Sequence, residues 1–99
     1  MNRLYVLIRT DLNYSSPAVQ AGHCVAEFCL NSKSNEWNNS TLIYLGVKNL
    51  EELKKWCFKL ERNNLNYTKF FEPDMNNELT SIATLVKNEK IFKNLKLLE

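Results

Sequence analysis

An α/β domain built on a four-stranded mixed sheet, with helices on both faces, is the fold this chain of 99 residues predicts. Three observations carry that expectation. The run from Arg3 to Arg9 is short, apolar and rich in β-formers, the pattern of a strand buried on both faces. A polar turn then opens a helix through Ser15, Ser16 and Pro17, an N-cap followed by proline at the first helical position. A second strand–helix unit and a closely spaced pair of strands follow, so the element order reads β-α-β-α-β-β-α.

The first helix is expected to run to about Leu30. Ala18, Ala21/Gly22, Val25 and Phe28/Cys29 form its apolar stripe. Ser16, Gln20, His23 and Glu27 recur at spacings of 4, 3 and 4 and share a second face. Residues 31–40 read as a polar loop anchored by Trp37, and Thr41 to Val47 as the second strand. Asn49 caps a second helix over about 50–62, with Leu50, Leu53, Trp56/Cys57 and Leu60 inward, and Asn63 and Asn64 end it. Tyr67 to Phe71 is a third strand, Glu72 to Glu78 a turn, and Leu79 to Val86 a fourth strand. The short link makes the last two antiparallel. Residues 88–98 read as a short final helix with Ile91, Leu95 and Leu98 inward.

The whole chain, 1–99, is read as a single domain, large enough to fold alone without a wide margin. Its 44% hydrophobic and 24% charged residues place it among globular rather than disordered proteins. Fourteen asparagines against two glycines point to coding bias or to turn chemistry carried by Asn. A net charge of +2 is too small for gripping a long nucleic acid through phosphates alone. At roughly three neutralised phosphates, affinity would fall with a log–log salt slope of about −3. Cys24, Cys29 and Cys57 are odd in number, lack the spacing of a metal knuckle and sit in apolar helical patterns. They read as buried free thiols in a reducing compartment. With a strand at the N-terminus and no long apolar stretch, the expectation is a cytoplasmic protein without a membrane partner.

The candidate site lies where the first strand hands over to the first helix. Polar side chains there stand at the carboxyl end of a strand, where open α/β sheets bind ligands. Gln20 and His23 read as contacts to a substrate or as groups that satisfy buried backbone. Glu27 stands one helical turn from His23, to fix its tautomer or to form a surface pair. Cys24 points about 100° away from its neighbour His23, which is the wrong geometry for an activated nucleophile. Glu72, Asp74 and Glu78 surround a turn containing Pro73. They read as a general base orienting water, or as ordinary turn residues. The segment Asp74 to Glu78 lacks the glycine and the length of a calcium loop. Asp11 reads first as a cap on its own turn. Thr80 is a donor to substrate or a cross-strand partner. Lys54, Lys55, Lys59 and Arg62 make a basic helix edge, either solvated or set against a nucleic-acid backbone.

The element order and these residues resemble the peptidyl-tRNA hydrolase 2 family. Arg9-Thr10-Asp11-Leu12 matches its R-x-D-L strand end, and the six residues from Ala18 to His23 look like its A-A-Q-C-S-H helix. Trp37 and the strand after it fit the W-x-x-x-G segment loosely. The four residues from Phe71 to Asp74 stand at its D-A-G turn, and those from Leu79 to Ala83 look like its Q-T-V-L-G strand. The likeness covers residues 3 to about 86. It implies that family's fold and hydrolysis of the ester between a peptide, or a blocked amino acid, and tRNA, with no metal or organic cofactor. Glu72 or Asp74 would position water. Gln20 and His23 would orient the terminal nucleotide and the carbonyl at the tRNA 3′ end. Thr80 would hydrogen-bond the site, with Asp11 and Ser16 on the substrate side.

The sequence also departs from the family. Ser16 stands where the family has its lysine, and Glu72 replaces the turn aspartate, with Asp74 as a nearby substitute. The turn is shorter and has lost its glycine. A preorganised donor at a developing oxyanion is worth about 10²–10³ in rate, so Lys69, Arg9 or another base would have to fill that space. The rival reading is a non-catalytic module on the same fold that binds RNA, a nucleotide or a protein. A third is a homodimer built through an exposed face of the sheet or helices.

Overall fold

The computed structural model describes residues 2–13, 15–31, 36–87 and 89–98. In chain order the elements are β1 (Arg3–Arg9), α1 (Pro17–Asn31), β2 (Leu42–Val47), α2 (Leu50–Arg62), β3 (Thr68–Glu72), β4 (Glu78–Val86) and β5 (Lys96–Leu97). β1 runs parallel to β2 and antiparallel to β4, and the sheet order is β3-β4-β1-β2-β5. Alternation along β1 divides the core into two layers. Leu4, Val6 and Ile8 pack under α1 with Ala21, Cys24 and Phe28. Tyr5 and Leu7 pack under α2 with Leu53, Cys57 and Leu60. The expected mixed sheet with a helix on each face is present.

The sheet has five strands, not four. The segment read as a final helix forms a 3-10 turn over Glu89–Phe92 and then β5, which pairs antiparallel with β2. The Leu98 N–H continues the pairing by donating to the Tyr44 carbonyl at 2.9 Å. A helix would need Ile91, Leu95 and Leu98 on one face. Ile91 and Leu95 instead pack on the α2 side, whereas Leu98 packs on the α1 side. The segment therefore wraps the sheet edge, and β2 supplies backbone partners that a helix this short would have to replace alone.

α1 has the expected span but a different azimuth. Its buried residues are Gln20, Ala21, Cys24 and Phe28, while Ala18, Gly22 and Cys29 face solvent. The apolar stripe read from sequence is thus off by about half a residue step, and Cys29 is an exposed thiol rather than a buried one. Residues 32–35 of the expected loop lie outside the described residues; after them the Trp37 indole N–H donates to the Thr41 carbonyl at 2.9 Å, and its ring meets Phe28 edge-on.

The asparagines carry turn chemistry. Among the described residues every non-glycine with positive φ is an asparagine: Asn39, Asn64, Asn76 and Asn77. Asn tolerates the left-handed region better than other non-glycine residues. Asn49 caps α2 as expected, its side chain accepting from the Glu52 N–H at 3.0 Å.

One irregularity matters for function. In the β3–β4 pairing Phe70 faces Ser81 but Phe71 faces Leu79, so Thr80 is an extra residue, a β-bulge in β4. Leu79 stays in the α2 layer, while Thr80 and Ser81 both bond to Gln20 of α1. Bulges re-aim a side chain in this way.

The two glycines should respond to alanine with opposite signs. A Cβ on Gly22 meets nothing within 4 Å, so Gly22→Ala should stabilise by about 1 kcal/mol through helix propensity. At Gly46 a Cβ would sit 2.9 Å from Thr10 Cγ2, and the Thr10 hydroxyl is held by the Val47 carbonyl. Gly46→Ala should cost about 1–3 kcal/mol. Urea denaturation of both variants measures this, and like signs would contradict the packing described.

Candidate functional site

The site forms where the start of α1 meets the β3–β4 turn. Ser16 builds the helix start: its hydroxyl accepts from the Ala18 N–H at 3.2 Å, and its carbonyl accepts from Val19 and Gln20. Ser16 is therefore the N-cap, with Pro17 the first helical residue. One turn on, Gln20 is 0% exposed. Its amide donates to Ser15 Oγ at 2.8 Å and to Glu72 Oε1 at 2.7 Å. Its carbonyl oxygen accepts from Thr80 Oγ1 at 2.6 Å, and its backbone carbonyl accepts from Ser81 Oγ at 3.1 Å. Gln20, Glu72 and Thr80, which the resemblance singles out, thus join in one hydrogen-bonded chain across separations of 52 and 60 residues.

Glu72 ends β3 and caps the 3-10 turn over Pro73–Met75, its second carboxylate oxygen accepting from the Asp74 N–H at 3.3 Å. The bond from Gln20 holds its pKa below the ordinary carboxylate value, helped by the Asp74 N–H and the neighbouring charge of His23. Glu72 is a carboxylate at neutral pH. Asp74 itself is exposed, and its side chain makes no hydrogen bond among the described residues.

Glu72 stands directly opposite Glu78 in the β3–β4 register, a repulsive pairing unless the charges are separated. They are separated: Glu78 pairs with Arg9. Arg9 is 7% exposed at its side chain and also binds the Asp11 carboxylate at 2.8 and 3.1 Å and the Leu79 carbonyl at 3.0 Å. Asp11 is thus principally the partner of Arg9, whose guanidinium lowers its pKa, with a smaller contribution from the hydrogen bond of its own backbone N–H. Arg9 is fully committed there. Lys69 lies over the Tyr67 ring at 5.7 Å. Each of these two cations thus has partners of its own.

His23 is exposed, and its ring stacks on Phe70 with centroids 4.9 Å apart and planes 8° from parallel. Glu27 accepts from Asn31, and neither a hydrogen bond nor an ion pair joins it to His23 among the described residues. Cys24 is buried and its thiol donates to the Thr68 carbonyl at 3.7 Å. Burial pushes that thiol up to about 12, which suits a structural cysteine, not a nucleophile. Ser15 and Phe70 are the site residues that sequence reasoning missed. Ser15 lay within the helix-start signature, but nothing there pointed to a bond with Gln20. Phe70 looked like any strand residue.

A scan against family models and a search of curated proteins give no match. Among solved structures, the chain is similar to a protein of unknown function from Agrobacterium tumefaciens strain C58. The TM-score is 0.70 at 13% identity, and the match covers 99% of this chain and 98% of the other. That likeness establishes a shared fold.

Removing the Gln20 amide should release Glu72. In Gln20→Leu, the Glu72 carboxyl pKa, followed by ¹³C NMR, is expected to rise toward its ordinary value. An unchanged titration would mean that Gln20 does not hold it. Glu72 and Asp11 have lowered folded pKa values, so their stabilisation is present above the ordinary carboxylate pKa of about 4 and is lost as pH falls through the lowered values. Thiol labelling of the native protein at pH 8 should modify Cys29 alone, because Cys24 and Cys57 are buried. Equal rates at all three would contradict this packing.

Proposed function

We propose that this chain is a peptidyl-tRNA hydrolase-like protein that cleaves the ester joining a peptide, or a blocked amino acid, to tRNA. The observation that carries this reading is the convergence of Gln20, Glu72 and Thr80 into one chain of hydrogen bonds beside exposed His23. Glu72 is the acceptor that orients water. The water oxygen bonds to the ester carbonyl carbon as its proton passes to Glu72. The bond from that carbon to the ribose oxygen then breaks, and the proton leaves on the ribose hydroxyl. Gln20 and Thr80 are positioning residues on this reading, because their polar atoms are spent on Glu72, Ser15 and each other. The His23–Phe70 stack offers a flat surface for the terminal nucleotide. Asp11 supports the site through Arg9, and Ser16 supports it as the cap of α1.

A second reading has an observation of its own. Among the described residues, the two cations weighed as substitutes for the family lysine are held elsewhere, Arg9 by Asp11 and Glu78, Lys69 over Tyr67. A carboxylate with a lowered pKa is also a weak base. On this reading the site binds the tRNA end without cleaving it.

Release of acetyl-amino acid from a blocked aminoacyl-tRNA, with wild type beside Glu72→Gln, separates the two. The hydrolase reading expects wild-type turnover and a loss of about 10²–10⁴ in the variant, with binding of the blocked tRNA retained. Binding without turnover in the wild type would establish the second reading.

A further inference from the structure

The side of α2 turned away from the sheet gathers four cations around one aromatic ring. Leu53, Cys57 and Leu60 are buried against the sheet, which leaves Lys54, Lys55, Phe58, Lys59 and Arg62 in solvent. Phe58 is 67% exposed. Lys55, Phe58, Lys59, Arg62 and Asn63 together line a shallow hollow. We infer that this face binds single-stranded RNA, with the cations on successive phosphates and one base stacked on Phe58.

Charge supports the assignment. The chain has 13 basic and 11 acidic side chains. Without these four cations, nine basic and eleven acidic groups remain, a formal charge of −2. α2 carries these four basic residues against three acidic ones, Glu51, Glu52 and Glu61, and turns its positive charge outward. Little in the chain competes for it. Lys55 makes an exposed contact with Glu52 at 3.7 Å, and Lys59 lies over the Trp56 ring. Lys54 and Arg62 enter no ion pair among the described residues. Glu61, the acid at the edge of this face, accepts the Tyr67 hydroxyl.

Spacing agrees with a nucleic-acid strand. Lys55 to Arg62 spans about 10 Å at roughly 1.5 Å per residue, so these long side chains can meet neighbouring phosphates of one strand. A base presents a π-face to an exposed ring whatever its identity, and backbone contacts leave sequence unread, so the binding is sequence-tolerant. A lipid surface fits less well, because an interfacial helix inserts its apolar face, and here that face is spent on the core.

The test uses a fluorescein-labelled uridine 12-mer, read by fluorescence anisotropy between 50 and 200 mM salt. The oligomer carries no ester, so its binding is independent of turnover at Glu72. Wild type is expected to bind with a log–log salt slope of about −2 to −3, as for three or four phosphates on a single strand. Neutralising Lys55→Gln and Arg62→Gln together should make the slope shallower by about 1.4. Phe58→Ala should weaken binding about tenfold at every salt concentration with the slope unchanged. Because all these side chains are exposed, circular dichroism should show an unaltered fold, and Lys54→Gln with Lys59→Gln gives a second charge variant. Absence of binding at 50 mM salt, or binding that survives both charge variants and Phe58→Ala, overturns the proposal. So does retention on phosphatidylserine vesicles without binding to RNA. Loss of turnover in Glu72→Gln with RNA binding intact would show that the two surfaces act separately.

Discussion

Gln20 brings a side-chain amide with two donors and a carbonyl into an interior position, where each unmet hydrogen bond costs about 1–3 kcal/mol. Its partners are Ser15 from the helix start, Glu72 from the end of β3 and Thr80 from β4. Meeting them fixes three things together: the azimuth of α1, the depth at which the β3–β4 turn seats, and the direction of the Glu72 carboxylate. Among the described residues no buried side-chain polar atom is left without a partner. The β-bulge at Thr80 belongs to the same solution. A regular strand would alternate Thr80 and Ser81 to opposite faces, and only one of them could then reach Gln20.

Edge strand β3 is held at both ends by different helices. Tyr67, just before it, bonds to Glu61 of α2, and Glu72 at its end accepts from Gln20 of α1. Between them, Phe70 lies under His23 and Lys69 reaches back over Tyr67. The strand therefore ties the two layers together across the sheet. Arg9 completes the arrangement by drawing Glu78 away from Glu72, so two like charges in register have separate partners.

Much of this was legible in the sequence where local chemistry dictates the answer. The two-face burial of β1 follows from its unbroken apolar run. The start of α1 follows from Ser16 and Pro17, and that of α2 from Asn49. Asparagine in place of glycine was visible as a composition, and its use in left-handed turns follows from the short polar side chain. What was not legible depends on partners distant in the chain. Gln20 looked like part of a polar stripe because a buried amide is stable only when a hydroxyl 60 residues away and a carboxylate 52 residues away arrive to meet it. The C-terminal strand depended on the free edge of β2, which exists only once β1 and β2 have paired. The bulge leaves no mark on sequence, since Leu79-Thr80-Ser81 alternates poorly in any register.

The electrostatics of the fold separate its two faces. α1 carries no lysine or arginine, and the end of the sheet beside it presents Asp11, Glu72, Asp74 and Glu78, with Arg9 inside as a committed counter-charge. α2, on the opposite face, presents four cations outward. A polyanion approaching the acidic end meets Glu72 and Asp74, which enter no ion pair among the described residues, and is repelled over about 8–10 Å at ordinary salt, whereas the α2 face attracts it over the same range. On the proposed reading, positioning of the ester and electrostatic capture of the polyanion are the work of different patches.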